Sequence, residues 1–170
     1  LHDALEHDQF VLFYQIQVDQ LGKAQGAEAL IRWNHPKKGL VSPLQFIPLA
    51  EETGSIVPIG LWVLNAACAQ IKIWQQHEAT RNLTLAVNVS TRQFVHPNFV
   101  SQVSAIVEHH AIDPRGLKLE LTESMLATDV EGIIVKMNQL QATGVCFSLD
   151  DFGTGYSSLQ YIKRLPLNQL

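Results

Sequence analysis

From Phe10 to Val18 the chain is aromatic and β-branched, the run expected of a strand, and Gly26 to Trp33 reads the same way. Only Asp19 to Gln25, a turn around Gly22, separates the two. So short a connection makes them antiparallel, because a parallel pair needs a crossover of a dozen residues or more. Ahead of them Leu1, Ala4 and Leu5 stand at helical spacing and predict a short opening helix. Asn34 to Ser42, with Pro36 and Gly39, reads as a loop. Pro43 suits a first helical position and Gly54 a C-terminal cap, so a helix is expected between them. A longer helix is expected from about Ile59 to His77, with Leu61, Leu64, Cys68, Ile71 and Trp74 on one face.

Beyond this point strand and helix alternate. Strands are expected at Leu83 to Val89, Leu117 to Thr122 and Val145 to Leu149. Helices are expected from about Asn98 to His110, from about Val130 to Ala142 with Gly144 as the cap, and from Ser157 to Arg164. Such alternation builds βα units and a parallel sheet, so the class is α/β. The count is five strands, with Leu167 to Leu170 as the start of a sixth.

Composition narrows the class further. The 170 residues suit one domain, and 46% apolar content excludes a disordered chain. Charged residues make up 16%, against about 25% in an average soluble protein, so much of each element faces other elements. The net charge of -4 and the lack of a basic stripe disfavour duplex nucleic acid as a partner. Cys68 and Cys146 form no CxxC, which points to a reducing, cytoplasmic compartment. The uncharged stretch Ser55 to Leu64 is too short to span a bilayer. The first residue is Leu1 rather than Met, so a longer parent is expected, with room for a membrane anchor outside these residues.

The candidate chemistry lies in the placement of the carboxylates. Glu28 is in the second expected strand, Asn88 closes the third, Glu120 closes the fourth, and Asp150 with Asp151 closes the fifth. In a parallel α/β sheet the carboxyl ends of the strands share one side, where ligands gather. An Asn and several carboxylates are hard oxygen donors suited to Mg, Mn or Ca. Arg32, four residues after Glu28, shares its strand face and either clamps a phosphate or pairs with a carboxylate. After Asp150 the chain reads Asp-Phe-Gly-Thr-Gly-Tyr-Ser-Ser, but no GxGxxG or His-Arg-Asp accompanies it, which excludes a kinase. His109-His110 reads as a solvated helix end, and Trp33, Trp62 and Trp74 as packing residues.

Gly26-Ala27-Glu28-Ala29-Leu30-Ile31-Arg32-Trp33 resembles the signature strand of the bacterial EAL domain. Asn88-Val89-Ser90 with Arg92-Gln93-Phe94, Glu120-Leu121-Thr122-Glu123-Ser124, and Asp150 through Leu159 resemble its later motifs. Ile47 through Gly54 also fits, and the motifs run in the family's order along essentially the whole chain. The resemblance implies a modified (β/α)8 TIM-like barrel with an antiparallel first strand, of which the first five strands and the start of the sixth are present. It implies metal-dependent hydrolysis of cyclic di-GMP to the linear dinucleotide pGpG, with Mg or Mn and two ions in the complete domain. Position by position, Glu28, Asn88, Glu120 and Asp150 resemble the metal ligands, and Asp151 the ligand of a second ion. Glu28 and Asp151 are the pair expected to bear most directly on the chemistry. Arg32 resembles the phosphate contact, Gln15 a substrate contact near the guanine, and Glu123 the residue that steadies the loop after Asp151. Two ions suit the reaction, because a phosphodiester is a poor electrophile and needs an activated water and charge relief at phosphorus.

Ile16 stands where the family usually has proline, a change expected to be neutral. The larger departure follows Leu170, where the family supplies a lysine, a glutamate and a glutamine from later strands. The 170 residues are therefore expected to be the N-terminal two-thirds of an EAL domain. Alone they are expected to be inactive and to associate or swap elements with a second copy. A sensory or GGDEF domain is the expected neighbour in the parent. The alternative reading is a degenerate EAL module that binds the nucleotide or a protein without turnover.

Overall fold

The computed structural model describes residues 1–122, 125, 129–150 and 164–167. A short helix α1 (His2–Glu6) leads into β1 (Phe10–Val18) and β2 (Ala24–His35). The two strands pair antiparallel, with Gln15 facing Glu28 and Val11 facing Arg32. The turn between them is tied by Asp19, whose carboxylate accepts from the Leu21 and Lys23 amides at 2.9 Å each. The strand β2 runs past Trp33 and folds back onto β3 (Gly39–Val41), a strand the sequence reading missed inside its loop Asn34–Ser42. Gly39, at φ +68, takes the left-handed conformation this return requires.

The helix α2 (Pro43–Thr53) starts at Pro43 and stops at Gly54, whose φ of +79 closes it, as expected. The helix α3 (Ile56–Gln75) starts three residues before Ile59 and stops two before His77. By length and apolarity its 20 residues could cross a membrane, a broader span than the stretch Ser55–Leu64 suggested. Here it lies along the sheet and buries Ile59, Leu64, Ala67, Cys68 and Ile71. Next come β4 (Thr84–Val89), a one-turn α4 (Thr91–Phe94) that the sequence reading missed, and α5 (Phe99–His110). A 3-10 turn at Pro114–Gly116 precedes β5 (Leu117–Thr122), followed by α6 (Val130–Gln141) and β6 (Cys146–Asp150). The last strand takes in Asp150 and omits Val145, a shift of one residue from expectation. The helix expected at Ser157–Arg164 lies outside the described residues apart from Arg164, which stands in a turn; the expected strand start has only Leu167 described, and it is not in a strand.

The sheet order is β1-β2-β4-β5-β6, with β3 off the path on β2. The pairs β2–β4, β4–β5 and β5–β6 are parallel, so among the described residues six strands stand where five were expected, and of these only β1 and β3 run against their neighbour. Alternation then sorts the two faces. Ala27, Leu85, Val87, Leu119, Phe147 and Leu149 share the face that packs under the helices. Glu28, Asn88, Glu120 and Asp150 share the other. That second face is concave. Flat strands would put β1 and β5 about 14 Å apart, three spacings, yet Lys118 of β5 reaches Gln17 of β1 at 3.2 Å.

The three tryptophans are packing residues. Trp33 and Trp62 both contact Phe10, and Trp74 contacts Tyr14. Burial pushes the Cys68 thiol up to about 12. At pH 8 only about one molecule in ten thousand then carries the reactive thiolate. Iodoacetamide at pH 8 is expected to leave Cys68 untouched in the folded protein and to label it in urea. Mass spectrometry checks this, and rapid native labelling of Cys68 would contradict the packing of α3.

Candidate active site

Glu28 is not at a strand end, because β2 continues to His35 to hold β3. It still points to the concave face, one ladder step below Asn88 and Glu120, which are paired with each other. Asp150 stands one step above them, beside Thr122. The four side chains therefore occupy three successive rungs on four neighbouring strands and one face. Asn88 and Asp150 are exposed, while Glu28 and Glu120 are half-buried.

The contacts are specific at the level of single oxygens. The Asn88 amide Nδ2 donates to Glu28 Oε1 at 2.6 Å. Ser148 Oγ donates to Glu120 Oε1 at 3.1 Å, and Lys118 Nζ lies 3.5 Å from the same oxygen. Among the described residues no contact falls on Oε2 of either glutamate. Burial pushes the Glu120 carboxyl above its usual range. Lys118 and the Ser148 hydroxyl oppose that rise, and the Glu28 and Asp150 charges add to it. Crowded carboxylates of this kind are relieved by a cation.

The loop after Asn88 is clamped from three sides. Ser90 caps α4 by accepting from the Gln93 amide at 3.2 Å. Arg92 donates to the carbonyls of Glu51 and Glu52 at the end of α2. Lys136 donates from α6 to the carbonyls of Phe94 and His96 at 2.9 Å each, and burial lowers its pKa. These contacts give the residues Ser90, Arg92 and Gln93 a structural role: they hold the exit of β4, and with it Asn88.

Gln15 is exposed on the concave face directly opposite Glu28. Arg32 shares that face. Its guanidinium lies 5.6 Å from the centroid of the Phe13 ring, and Nη1 donates to the Ile31 carbonyl at 2.9 Å. Among the described residues no carboxylate pairs with it. Asp151 and Glu123 lie outside the described residues. Sequence reading missed Lys118, Ser148 and Gln17, which form a polar layer beneath the carboxylates. The available signal was parity: Lys118 alternates in step with Glu120, and Ser148 with Asp150. The polar cavity of about 210 Å3 lined by Arg81, Asn82, Asp113 and Arg115 opens at the opposite end of the strands, before β4 and β5.

The EAL domain model matches residues 1–170. The chain belongs to the EAL domain family. The Pseudomonas aeruginosa protein MucR, named a bifunctional diguanylate cyclase/cyclic di-GMP phosphodiesterase, is 48% identical over 174 residues, covering 100% of this chain and 25% of its own. The Escherichia coli cyclic di-GMP phosphodiesterase PdeR is 38% identical over 170 residues, covering 100% of this chain and 25% of its own. The solved structure of the PaMucR phosphodiesterase in complex with c-di-GMP superposes with a TM-score of 0.93 at 48% identity, covering 98% of this chain and 67% of that one. The chain thus spans about a quarter of the length of these curated relatives.

Among the described residues of this EAL domain no three His, Cys, Asp or Glu side chains close around one point. The donor chemistry nonetheless fits a hard divalent cation. It comprises two glutamate oxygens without contacts among the described residues, the Asn88 carbonyl oxygen and the Asp150 carboxylate, on a face where the Glu28 and Asp150 charges add to the cost of ionising Glu120.

Proposed function

We propose that this EAL domain hydrolyses cyclic di-GMP to linear pGpG, with Mg or Mn as cofactor and two ions in the complete domain. The observation that carries the reading is the arrangement of Glu28, Asn88, Glu120 and Asp150 on one concave face, with one oxygen of each glutamate held and the other without a contact among the described residues. Those four residues and Asp151 would hold the metal. A divalent cation bound there supplies Lewis acidity and lowers the pKa of water. The chain's own residues position the rest. Asn88 orients Glu28, Ser148 orients Glu120, and Arg32, paired with no carboxylate among the described residues, offers its guanidinium to a phosphate on the same face as Gln15. Glu28 and Asp151 would hold the metal nearest the chemistry, and Glu123 would steady the loop after Asp151.

In this reading residues 1–170 are the N-terminal two-thirds of the domain, and the parent is a cytoplasmic signalling protein, or a membrane-anchored one with this domain in the cytoplasm. A sensory or GGDEF domain adjoins it. The free thiols of Cys68 and Cys146 fit a reducing compartment. Self-association belongs to the same proposal. Ile16, Val18 and Leu21 stand exposed along and just beyond β1, an edge strand of the sheet among the described residues, and a second copy would cover them.

The experiment is turnover of cyclic di-GMP by the intact protein. Mg or Mn should sustain pGpG formation, EDTA should abolish it, and added metal should restore it. Arg32→Ala should weaken cyclic di-GMP binding by about 10- to 100-fold, the worth of charge-assisted hydrogen bonds to phosphate. Its melting temperature should stay within about 2 °C, because Arg32 makes no ion pair among the described residues. Calorimetric titration reads the binding, and unchanged affinity would remove Arg32 from the site.

A further inference from the structure

Lys118 is an unusual residue to find where it is. It lies in the interior of β5, with 10% of its side chain exposed. Strand alternation places it on the concave face, two residues below Glu120. Its Nζ lies 3.5 Å from Glu120 Oε1 and donates to Gln17 Oε1 at 3.2 Å. A buried ammonium is costly unless it is paired and hydrogen-bonded, so these contacts fix its place. Ser148 reaches the same oxygen of Glu120 from β6 at 3.1 Å. Two donors on two strands thus converge on Oε1, and among the described residues no contact falls on Oε2. The Gln17 contact carries the arrangement across the concave face to β1, two residues from Gln15.

We propose that Lys118 is a positioning residue, which with Ser148 holds one oxygen of Glu120 so that the other is presented to the cation as a single-oxygen ligand. The inference rests on the metal-dependent reading above. It goes further in naming the residue beneath the site that sets ligand orientation and ties it to β1. Outer partners of metal ligands are worth about 10- to 100-fold in metal affinity when removed.

The test is Mn titration of the intact protein, followed by loss of the free-ion EPR signal, alongside cyclic di-GMP turnover. Lys118→Met should bind Mn at least about 10-fold more weakly than the parent. Lys118→Arg should recover most of that loss, because it restores a cationic donor to Glu120. In a Glu120→Gln background Lys118→Met should cost little further affinity, since its effect passes through Glu120. Should Lys118→Met fail to fold, Ser148→Ala, which removes only a hydroxyl, carries the test with the same expected direction. Mn affinity equal to the parent in the folded variants would overturn the positioning role, as would full additivity with Glu120→Gln. A parent protein that binds no Mn at all would overturn the metal-dependent reading itself, and this inference with it.

Discussion

Glu28→Gln should abolish phosphodiester hydrolysis while leaving the metal-free fold as stable as before, or slightly more so. Gln keeps an oxygen for the Asn88 amide, which donates to Glu28 at 2.6 Å, so the local hydrogen bond survives. What is lost, on the proposed function, is a charged ligand for the cation. Metal stabilisation of the transition state is worth several kcal/mol. At 1.36 kcal/mol per decade, activity should fall by about three orders of magnitude. The charge of Glu28 also adds to the cost of ionising Glu120. Its removal should leave the metal-free melting temperature unchanged or raised by about 1–3 °C. Turnover and a thermal melt in EDTA check the two halves. A variant that unfolds in step with its loss of activity would assign Glu28 to the fold rather than to the chemistry.

The second large effect lies in a glycine of the same strand. Gly26 pairs with Thr84 where β2 and β4 begin their parallel ladder. A β-carbon at Gly26 would overlap the Thr84 carbonyl oxygen and its hydroxyl. The neighbour is backbone in a central ladder, which cannot yield without shifting the strands. Gly26→Ala should therefore destabilise by about 1–3 kcal/mol, as overpacking does. That is about 3–10 °C in a protein of this size. The same shift would move Glu28, two residues beyond Gly26, relative to Asn88, four residues beyond Thr84. Displacements of about 1 Å in a catalytic array can cost 100-fold in rate. Differential scanning calorimetry and turnover should both report losses, and a variant with parental stability would contradict the close approach of β2 to β4.

The fold was legible wherever the local pattern coincided with a complete element. The short turn at Gly22 forced β1 and β2 antiparallel, and Pro43 and Gly54 bounded α2 because each has a conformational reason to stand there. Short elements escaped. The three residues of β3 and the single turn of α4 carry too few positions for a period to register. Glu28, Asn88, Glu120 and Asp150 could be grouped because in-phase alternation on parallel strands puts them on one face. Lys118 escaped for the opposite reason. A lysine in a strand reads as solvent-facing, and only the curl of the sheet shows that its face is the concave interior, with Gln17 across from it. The rungs also differ from strand ends, since β2 continues beyond Glu28 to carry β3. No local pattern reveals that continuation.

The most direct test of the account is product analysis. The intact protein, stripped of metal and then supplied with Mn, is incubated with cyclic di-GMP, and the nucleotides are resolved by chromatography with mass detection. The account predicts metal-dependent conversion to linear pGpG, lost in Glu28→Gln and in EDTA. Tight binding of cyclic di-GMP with no pGpG formed, or pGpG formation unaffected by Glu28→Gln, would contradict it.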